Sequence, residues 1–486
     1  MSVLLGIDVG TSGCKAVLMD LSGKVVATAT HEVSLSTPQP QWSEQDPEEW
    51  WRATMASIRQ VLEQANLQAE AVHGVGLTGQ MHGAVLLDGK GQVLRPCILW
   101  NDQRTAAECQ EIGRRVGAEQ LLQRTGNPVL PGFTAPKLLW VSKHEPEVFA
   151  NIASVLLPKD YIRYRLTGER LSDVSDASGT ALFDVAQRRW CPEMLEAVGV
   201  PRSWLPEVTE SPEVSAHITC KESGLAAGTP VVAGAGDQAA QAIGSGIVAE
   251  GPISVTIGTS GVVFAASDRY RVEPHGRLHA FCHAVPGKWH LMGVALCAGG
   301  SLHWYRESFG GGSYAELMEE AARAPAGSEG LLFLPYLTGE RTPHADADAR
   351  GAFVGLTLRH QRAHLTRAIL EGVCYSLRDS LELMLELGLK PRELRASGGG
   401  AKSPLWRQIL ADVCNTPIAT LSLSDGAAFG AALLAGVGTG AFPNLAEACQ
   451  TAVQVTGTHH PGPESRRYQT DYPTFRALYP ALRGVR

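Results

Sequence analysis

The chain has 486 residues, 44% hydrophobic and 19% charged, with 42 Lys plus Arg against 49 Asp plus Glu for a net charge of −7. That composition excludes a disordered or collagen-like chain, and a length of about three units of roughly 150 residues leaves ample material for buried cores. The acidic balance argues against a nucleic-acid partner or an acidic membrane surface.

The first predicted elements are two apolar runs, residues 3–7 and 15–19, which flank Asp8-Val9-Gly10-Thr11-Ser12-Gly13 and read as a hairpin that residues 25–30 extend. The opening run stops at Asp8 and has no basic stretch before it, so no signal peptide is expected. Asp46-Pro47-Glu48-Glu49 supplies a cap, a first-position proline and first-turn acids for a helix with Trp51, Met55, Ile58, Val61 and Leu62 on its apolar face. Residues 72–88 read as a β-hairpin, 132–160 as an irregular stretch entering a helix, and 231–243 as strand, Gly234-Ala235-Gly236-Asp237, helix. Residues 364–387 predict a long helix stopped by Gly388, followed by a short strand at Gly398-Gly399-Gly400 and a helix opening at Ser403-Pro404. Residues 426–442 are uncharged but too short to cross a bilayer, and the segment after Thr456 reads as a tail on the surface. The ten cysteines are dispersed, without a CxxC pair or zinc spacing, and predict reduced thiols in a cytoplasmic protein. Alternating strands and helices give an α/β fold.

One internal repeat stands out. Gly-Thr-Ser-Gly occurs at 10–13 and again at 258–261, each time between apolar runs, which predicts two homologous halves meeting near residues 246–252. Such turns offer converging backbone N–H groups to an oxyanion, and two of them across a cleft would clamp a polyphosphate. No Gly-Lys pair is followed by Ser or Thr, so there is no P-loop. The formal GxGxxG at Gly74, Gly76 and Gly79 precedes another strand-like run, so it is read as a strand and turn, without the helix a dinucleotide fold needs. Gly398-Gly399-Gly400 before a capped helix suits the nucleoside, or else a tight turn, and Asp425-Gly426-Ala427 suits helix packing. Asp8 beside a phosphate turn reads as a magnesium ligand, and Asp237 as either a helix cap or a general base; together they supply what in-line phosphoryl transfer to a hydroxyl requires. Gln80-Met81-His82, Trp100-Asn101-Asp102-Gln103-Arg104 and Gln238 form a polar, aromatic-edged set for a neutral polyol.

These motifs, in order and spacing, resemble the FGGY family of carbohydrate kinases. The likeness is carried by Gly6-Ile7-Asp8-Val9-Gly10-Thr11-Ser12, Gly79-Gln80-Met81-His82-Gly83, Leu99-Trp100-Asn101-Asp102, the stretch from Gly132 to Trp140, Leu157-Pro158-Lys159-Asp160-Tyr161, Gly236-Asp237, Gly339-Glu340-Arg341-Thr342-Pro343 and Gly398-Gly399-Gly400-Ala401. It implies two actin-like (ribonuclease-H-like) ATPase domains around a cleft. Residues 1–246 would carry the sugar site and first phosphate loop, and residues 247–486 the nucleotide site. It also implies ATP and Mg2+, with Asp237 as catalytic base and Asp8 as the metal-linked acid. Gly10, Thr11, Ser12, Gly258, Thr259, Ser260, Gly398, Gly399 and Gly400 are expected around ATP, and Met81, His82, Trp100, Asp237 and Gln238 around the sugar. Glycerol kinases have Arg-Glu where this chain has Met81-His82, which favours a ketopentose, D-xylulose ahead of ribulose or glycerol; Gln238 departs from the Asn often found there. The partner is then a small sugar, and a homodimer is common in the family. The alternative outside the class, an actin-like ATP-binding module, has no evident use for the Gln-Met-His and Trp-Asn-Asp segments.

Overall fold

A computed structural model describes residues 2–422 and 426–484; Asp425 lies outside them. Two seven-stranded sheets organise the chain. Their strands are numbered here β1 (Val3–Val9), β2 (Gly13–Asp20), β3 (Val25–Glu32), β4 (Val72–Gly79), β5 (Val214–His217), β6 (Pro230–Val232) and β7 (Ala235–Gly236) in the first sheet. The second holds β8 (Pro252–Ile257), β9 (Gly261–Ser267), β10 (His279–Cys282), β11 (Trp289–Ala295), β12 (Glu393–Ser397), β13 (Ile418–Leu421) and β14 (Val455–His459).

The strand orders are β5-β6-β4-β1-β2-β3, with β7 beside β4, and β10-β11-β9-β8-β12-β13-β14. In each sheet a hairpin, β1–β2 or β8–β9, closes through the Gly-Thr-Ser-Gly turn, and its first strand pairs in parallel on the other side with β4 or β12. A further parallel strand and an antiparallel edge follow in both sheets. The shared connectivity accounts for the repeated tetrapeptide as a duplicated unit.

Helix α1 (Pro47–Ala65) starts where expected: Asp46 accepts from the Glu48 N–H at 3.0 Å, and the helix stops at Asn66 in the left-handed region (φ 51). It buries Trp50, Trp51, Ile58 and Val61 against the first sheet. Helix α2 (Asp237–Gly244) follows β7 directly, and α3 (Arg362–Glu386) and α4 (Pro404–Cys414, capped by Ser403) cover the second sheet. Helix α5 (Gly426–Gly438), from the second half of the sequence, lies flush on the first sheet. A Cβ on Gly6 or Gly76 would stand 1.9 Å from the carbonyl oxygen of Ala428 or Ala431, and one on Gly430 1.9 Å from that of Ala240 in α2. Gly76, the middle glycine of the GxGxxG, is therefore part of a seat for a helix, in keeping with its reading as part of a strand.

Four local expectations change. Residues 72–88 do not form a hairpin: β4 is an interior strand whose edges are taken by β1 on one side and β6 and β7 on the other, so residues 85–87 pair instead with residues 154–156. Gly398 to Gly400 are not a strand, because Gly398 has φ +84 and ends β12, and the chain turns through a single 3-10 turn into α4. Asp237 is not a helix cap; Gly236 holds that position, and Asp237 is the first helical residue. The segment after Thr456 is no surface tail. It contains most of the edge strand β14 and helix α6 (Ser465–Leu482), whose Tyr468, Tyr472, Phe475 and Leu478 complete the second core.

Candidate active site

Strand pairing brings the two predicted carboxylates together. Val9 pairs with Gly79 and Gly79 with Gly236, so Asp8, one residue before Val9, and Asp237, one after Gly236, stand at neighbouring strand ends. Burial pushes the Asp8 carboxyl up to about 6, with Lys15 pulling the other way, and its buried Oδ1 has no hydrogen-bond partner among the described residues. Asp237 is pushed up to about 7, first by burial and then by the charge of Asp8, against hydrogen bonds from the backbone and side chain of Gln238.

Both glycine turns are closed by their own backbone, Gly10 N–H to the Gly13 carbonyl and Gly258 N–H to the Ser260 carbonyl, each at 3.0 Å. The N–H groups of Thr11, Ser12, Thr259 and Ser260 donate to no acceptor among the described residues. The second turn is braced by the start of helix Gly299–Ser308, whose Gly299 and Gly300 amides donate to Gly258 and Thr259 carbonyls at 2.7 and 3.0 Å. Gly398 and Gly400 pack against Ile257, immediately before that turn. A cleft of about 780 Å3 lies between the sheets, lined by Asp8 and Lys15 from the first and by Thr256, Ser397, Gly398 and Gly399 from the second. The strand ends that lead into the two turns thus share one hollow; the turn residues themselves are not among those that line it.

Of the predicted sugar contacts, Met81 packs on Gly236, the residue before Asp237. Met81 is buried with its thioether against Gly236 and Gly179, where any Cβ would collide with it. His82, with φ +72, is turned so that Nδ1 lies 2.5 Å from the Gly179 carbonyl and its ring stacks on Phe133 at 4.7 Å. Burial, opposed by that hydrogen bond, pulls it down to about 3, so it is a neutral imidazole. Trp100 is 45% exposed, and its Nε1 donates to Thr11 Oγ1 at 2.9 Å, which ties it to the first Gly-Thr-Ser-Gly turn. Gln238 is half-buried in the first turn of α2. Asp102 and Arg104 pair at 2.7 Å while buried, and Asp102 also accepts from the Ser43 N–H.

A buried network beneath Asp237 was not foreseen. Lys159 Nζ lies 2.5 Å from Asp160, 3.0 Å from Asp173 and 3.7 Å from Asp176, all fully buried. Burial pulls Lys159 down, but the three carboxylates outweigh it and keep it charged, while burial raises Asp160 and Asp176. Asp173 accepts from the Ser175 hydroxyl at 2.5 Å, and Ser175 Oγ accepts from the Gly236 N–H at 3.1 Å, so the network ends on the residue before Asp237. Lys159-Asp160 was visible as a motif, but its partners at 173 and 176 arrive only through the fold. Lys159→Met, which strips the cation from three buried acids, is expected to destabilise the protein by about 3–5 kcal/mol in urea unfolding.

The FGGY carbohydrate kinase N-terminal domain matches residues 3–244, and the FGGY C-terminal domain residues 253–439. The chain belongs to the FGGY family of carbohydrate kinases. It is similar to the xylulose kinase of Escherichia coli strain K12, with 44% identity over 485 residues, 98% of this chain and 99% of that protein. Among solved structures, a "xyloylose kinase" from Brucella ovis superposes with a TM-score of 0.94 at 41% identity, and a ligand-bound xylulose kinase from Lactobacillus acidophilus with 0.95 at 30%; this chain is covered in full by both, and they are covered to 100% and 99%. The FGGY chain described here is thus a two-domain kinase of actin-like fold that uses ATP on a small sugar, which sets aside the non-catalytic ATP-binding module. Among the described residues no helix is long and apolar enough to cross a membrane.

Proposed function

We propose that this FGGY kinase transfers the γ-phosphoryl group of ATP to the terminal hydroxyl of D-xylulose, with Asp237 as the base. The observation that carries this reading is the pair of carboxylates at adjoining strand ends, one of them, Asp237, held near neutrality where it can accept a proton. The names of the similar kinases support the sugar, as does Met81 packed on Gly236, next to Asp237.

In this reading Asp237 removes the hydroxyl proton as the oxygen attacks, and the Gln238 side chain orients its carboxylate. The free N–H groups of Thr11, Ser12, Thr259 and Ser260, together with Gly10 and Gly258, hold the phosphates from both sides; Gly398, Gly399 and Gly400 border the adenosine. The sugar lies between Met81, His82 and Trp100. Asp8 fits Mg2+, because its buried Oδ1 has no partner among the described residues. Bound there, the ion would neutralise charge on the transferring phosphate. Residues 1–246 then act mainly on the sugar and 247–486 on the nucleotide, a division the two family-domain matches support. All ten cysteines are free thiols, which supports a reducing compartment such as the cytoplasm.

A coupled ADP-release assay across D-xylulose, ribulose, glycerol and gluconate, with and without Mg2+, tests the assignment. D-xylulose is expected to give the highest kcat/KM, and chelation of the metal to abolish turnover; a larger kcat/KM for another compound would overturn the substrate. The same assay reads the base. Because Asp237 must be ionised to accept a proton, kcat/KM is expected to fall as the pH drops below about 7. The limb belongs to the interacting Asp8–Asp237 pair. A flat profile from pH 5.5 to 8 would contradict it.

A further inference from the structure

His82, which follows Met81 in the chain, belongs to a box of rings drawn from distant segments. His82 stacks on Phe133, His279 stacks on Phe281 with centroids 5.5 Å apart and planes 11° apart, and Phe133 and His279 lie 6.0 Å apart. His279 stands on β10, in the second half of the chain, and is only 5% exposed.

Hydrogen bonds fix the tautomer of both imidazoles. The Gly179 carbonyl can only accept, so His82 Nδ1 carries the proton and Nε2 the lone pair. His279 Nδ1 lies 2.8 Å from Asn127 Oδ1, and Asn127 spends its Nδ2 on the Thr125 and Ala280 carbonyls at 2.8 and 2.9 Å. The amide therefore turns its oxygen to the ring, and His279 Nε2 is also a bare acceptor. Neither Nε2 has a hydrogen-bond partner among the described residues.

A donor stands beside them. Thr342 is clamped to Val294 of β11 in both directions, N–H to carbonyl at 3.0 Å and Val294 N–H to Oγ1 at 3.1 Å. Val294 lies two residues from Met292, the strand partner of His279. Arg341, the residue before Thr342, is half-buried there, and its guanidinium makes no hydrogen bond or ion pair with any described residue. Its charge is felt at both His82 and His279 and helps keep them neutral. An unpaired cation and two bare acceptors close to one another leave both donors and acceptors for a ligand to satisfy. A run of neutral hydroxyls does so, accepting from the guanidinium and donating to the imidazoles.

We propose that His279 and Arg341 bind the end of the sugar remote from Asp237, with Arg341 donating to its carbonyl or hydroxyl oxygens and His279 Nε2, together with His82 Nε2, accepting hydrogen bonds from its hydroxyls. The inference rests on the ketose-kinase reading above, in which transfer to the far terminal hydroxyl leaves the C1 hydroxymethyl ketone in this box.

The test compares D-xylulose with 1-deoxy-D-xylulose on the parent protein and on Arg341→Met, Arg341→Lys and His279→Phe. Sugar binding is read by calorimetry without nucleotide, and KM for sugar and for ATP by ADP release. Arg341→Met is expected to raise the sugar Kd and KM by at least about tenfold with KM for ATP within about twofold, and Arg341→Lys to recover part of the loss. His279→Phe keeps the ring stack and removes the acceptor, so the penalty for the missing C1 hydroxyl, large in the parent, should shrink to within about threefold. Should Arg341→Met fail to fold, the other two variants carry the comparison. Folded variants that bind both sugars as the parent does would overturn this inference alone. A parent that neither binds nor phosphorylates D-xylulose would overturn the ketose reading with it.

Discussion

Replacing Asp237 with Asn is expected to lower kcat for sugar phosphorylation by roughly a hundred- to ten-thousandfold, the range a positioned base contributes. The substitution keeps the shape of the side chain and removes its capacity to take a proton. It should also make the ligand-free protein harder to melt above neutral pH. The folded-state pKa of Asp237 is raised from 3.8 to about 7, so the folded chain holds this proton more tightly than the unfolded one. That contribution is full below about pH 3.8 and is lost as the pH rises through about 7, where the carboxylate must ionise inside the site. Asn escapes the penalty, so Tm at pH 8 should exceed that of the parent and the gap should close toward pH 4. Opposite movement of activity and stability identifies a carboxylate kept for chemistry. An Asn variant retaining activity within about tenfold would remove Asp237 from the role of base.

Gly76→Ala is expected to cost at least about 3 kcal/mol of stability, at the upper end for one added methyl group. The new Cβ would meet the Ala431 carbonyl oxygen at 1.9 Å and its carbon at 2.7 Å. These are backbone atoms of α5, so no rotamer relieves the overlap and the whole helix must lift from β4. Gly6→Ala should behave alike against Ala428. Because Gly426 and Ala427 at the start of α5 also line the cleft, KM for ATP should rise with the loss of stability. Gly89→Ala is the control: nothing lies within 4 Å of its Cβ position, and it should stay within about 0.5 kcal/mol of the parent. Equal urea midpoints for the Gly76 and Gly89 variants would show that α5 is not seated on these glycines.

Local chemistry was readable wherever it is written in consecutive residues. The two glycine turns between apolar runs, the Asp46-Pro47 helix start and the Gly236-Asp237 strand end each depend on neighbours a few positions away, and each forms the element expected of it. Pairing over distance was not readable in the same way. Residues 72–88 look like a hairpin because hairpins are local, yet β4 finds its partners at residues 3–9, 230–232 and 235–236. The sequence of helix α6 carries Pro473 and Pro480 inside the element, which breaks the local helix pattern, although its aromatic face is what the second core needs.

For the site, the sequence by itself determined which residues have the chemistry: Asp8, Asp237, the paired Gly-Thr-Ser-Gly turns and Met81-His82. Only the tertiary structure decided their surroundings. It set Asp8 close enough to raise Asp237, buried Lys159 among acids from residues 160, 173 and 176, and brought His279 and Arg341 from the second half to the wall beside His82. The physical reason is that a pKa, an unpaired donor or a fixed tautomer is a property of what surrounds a group in space, and here those surroundings are gathered from segments both near and far along the chain.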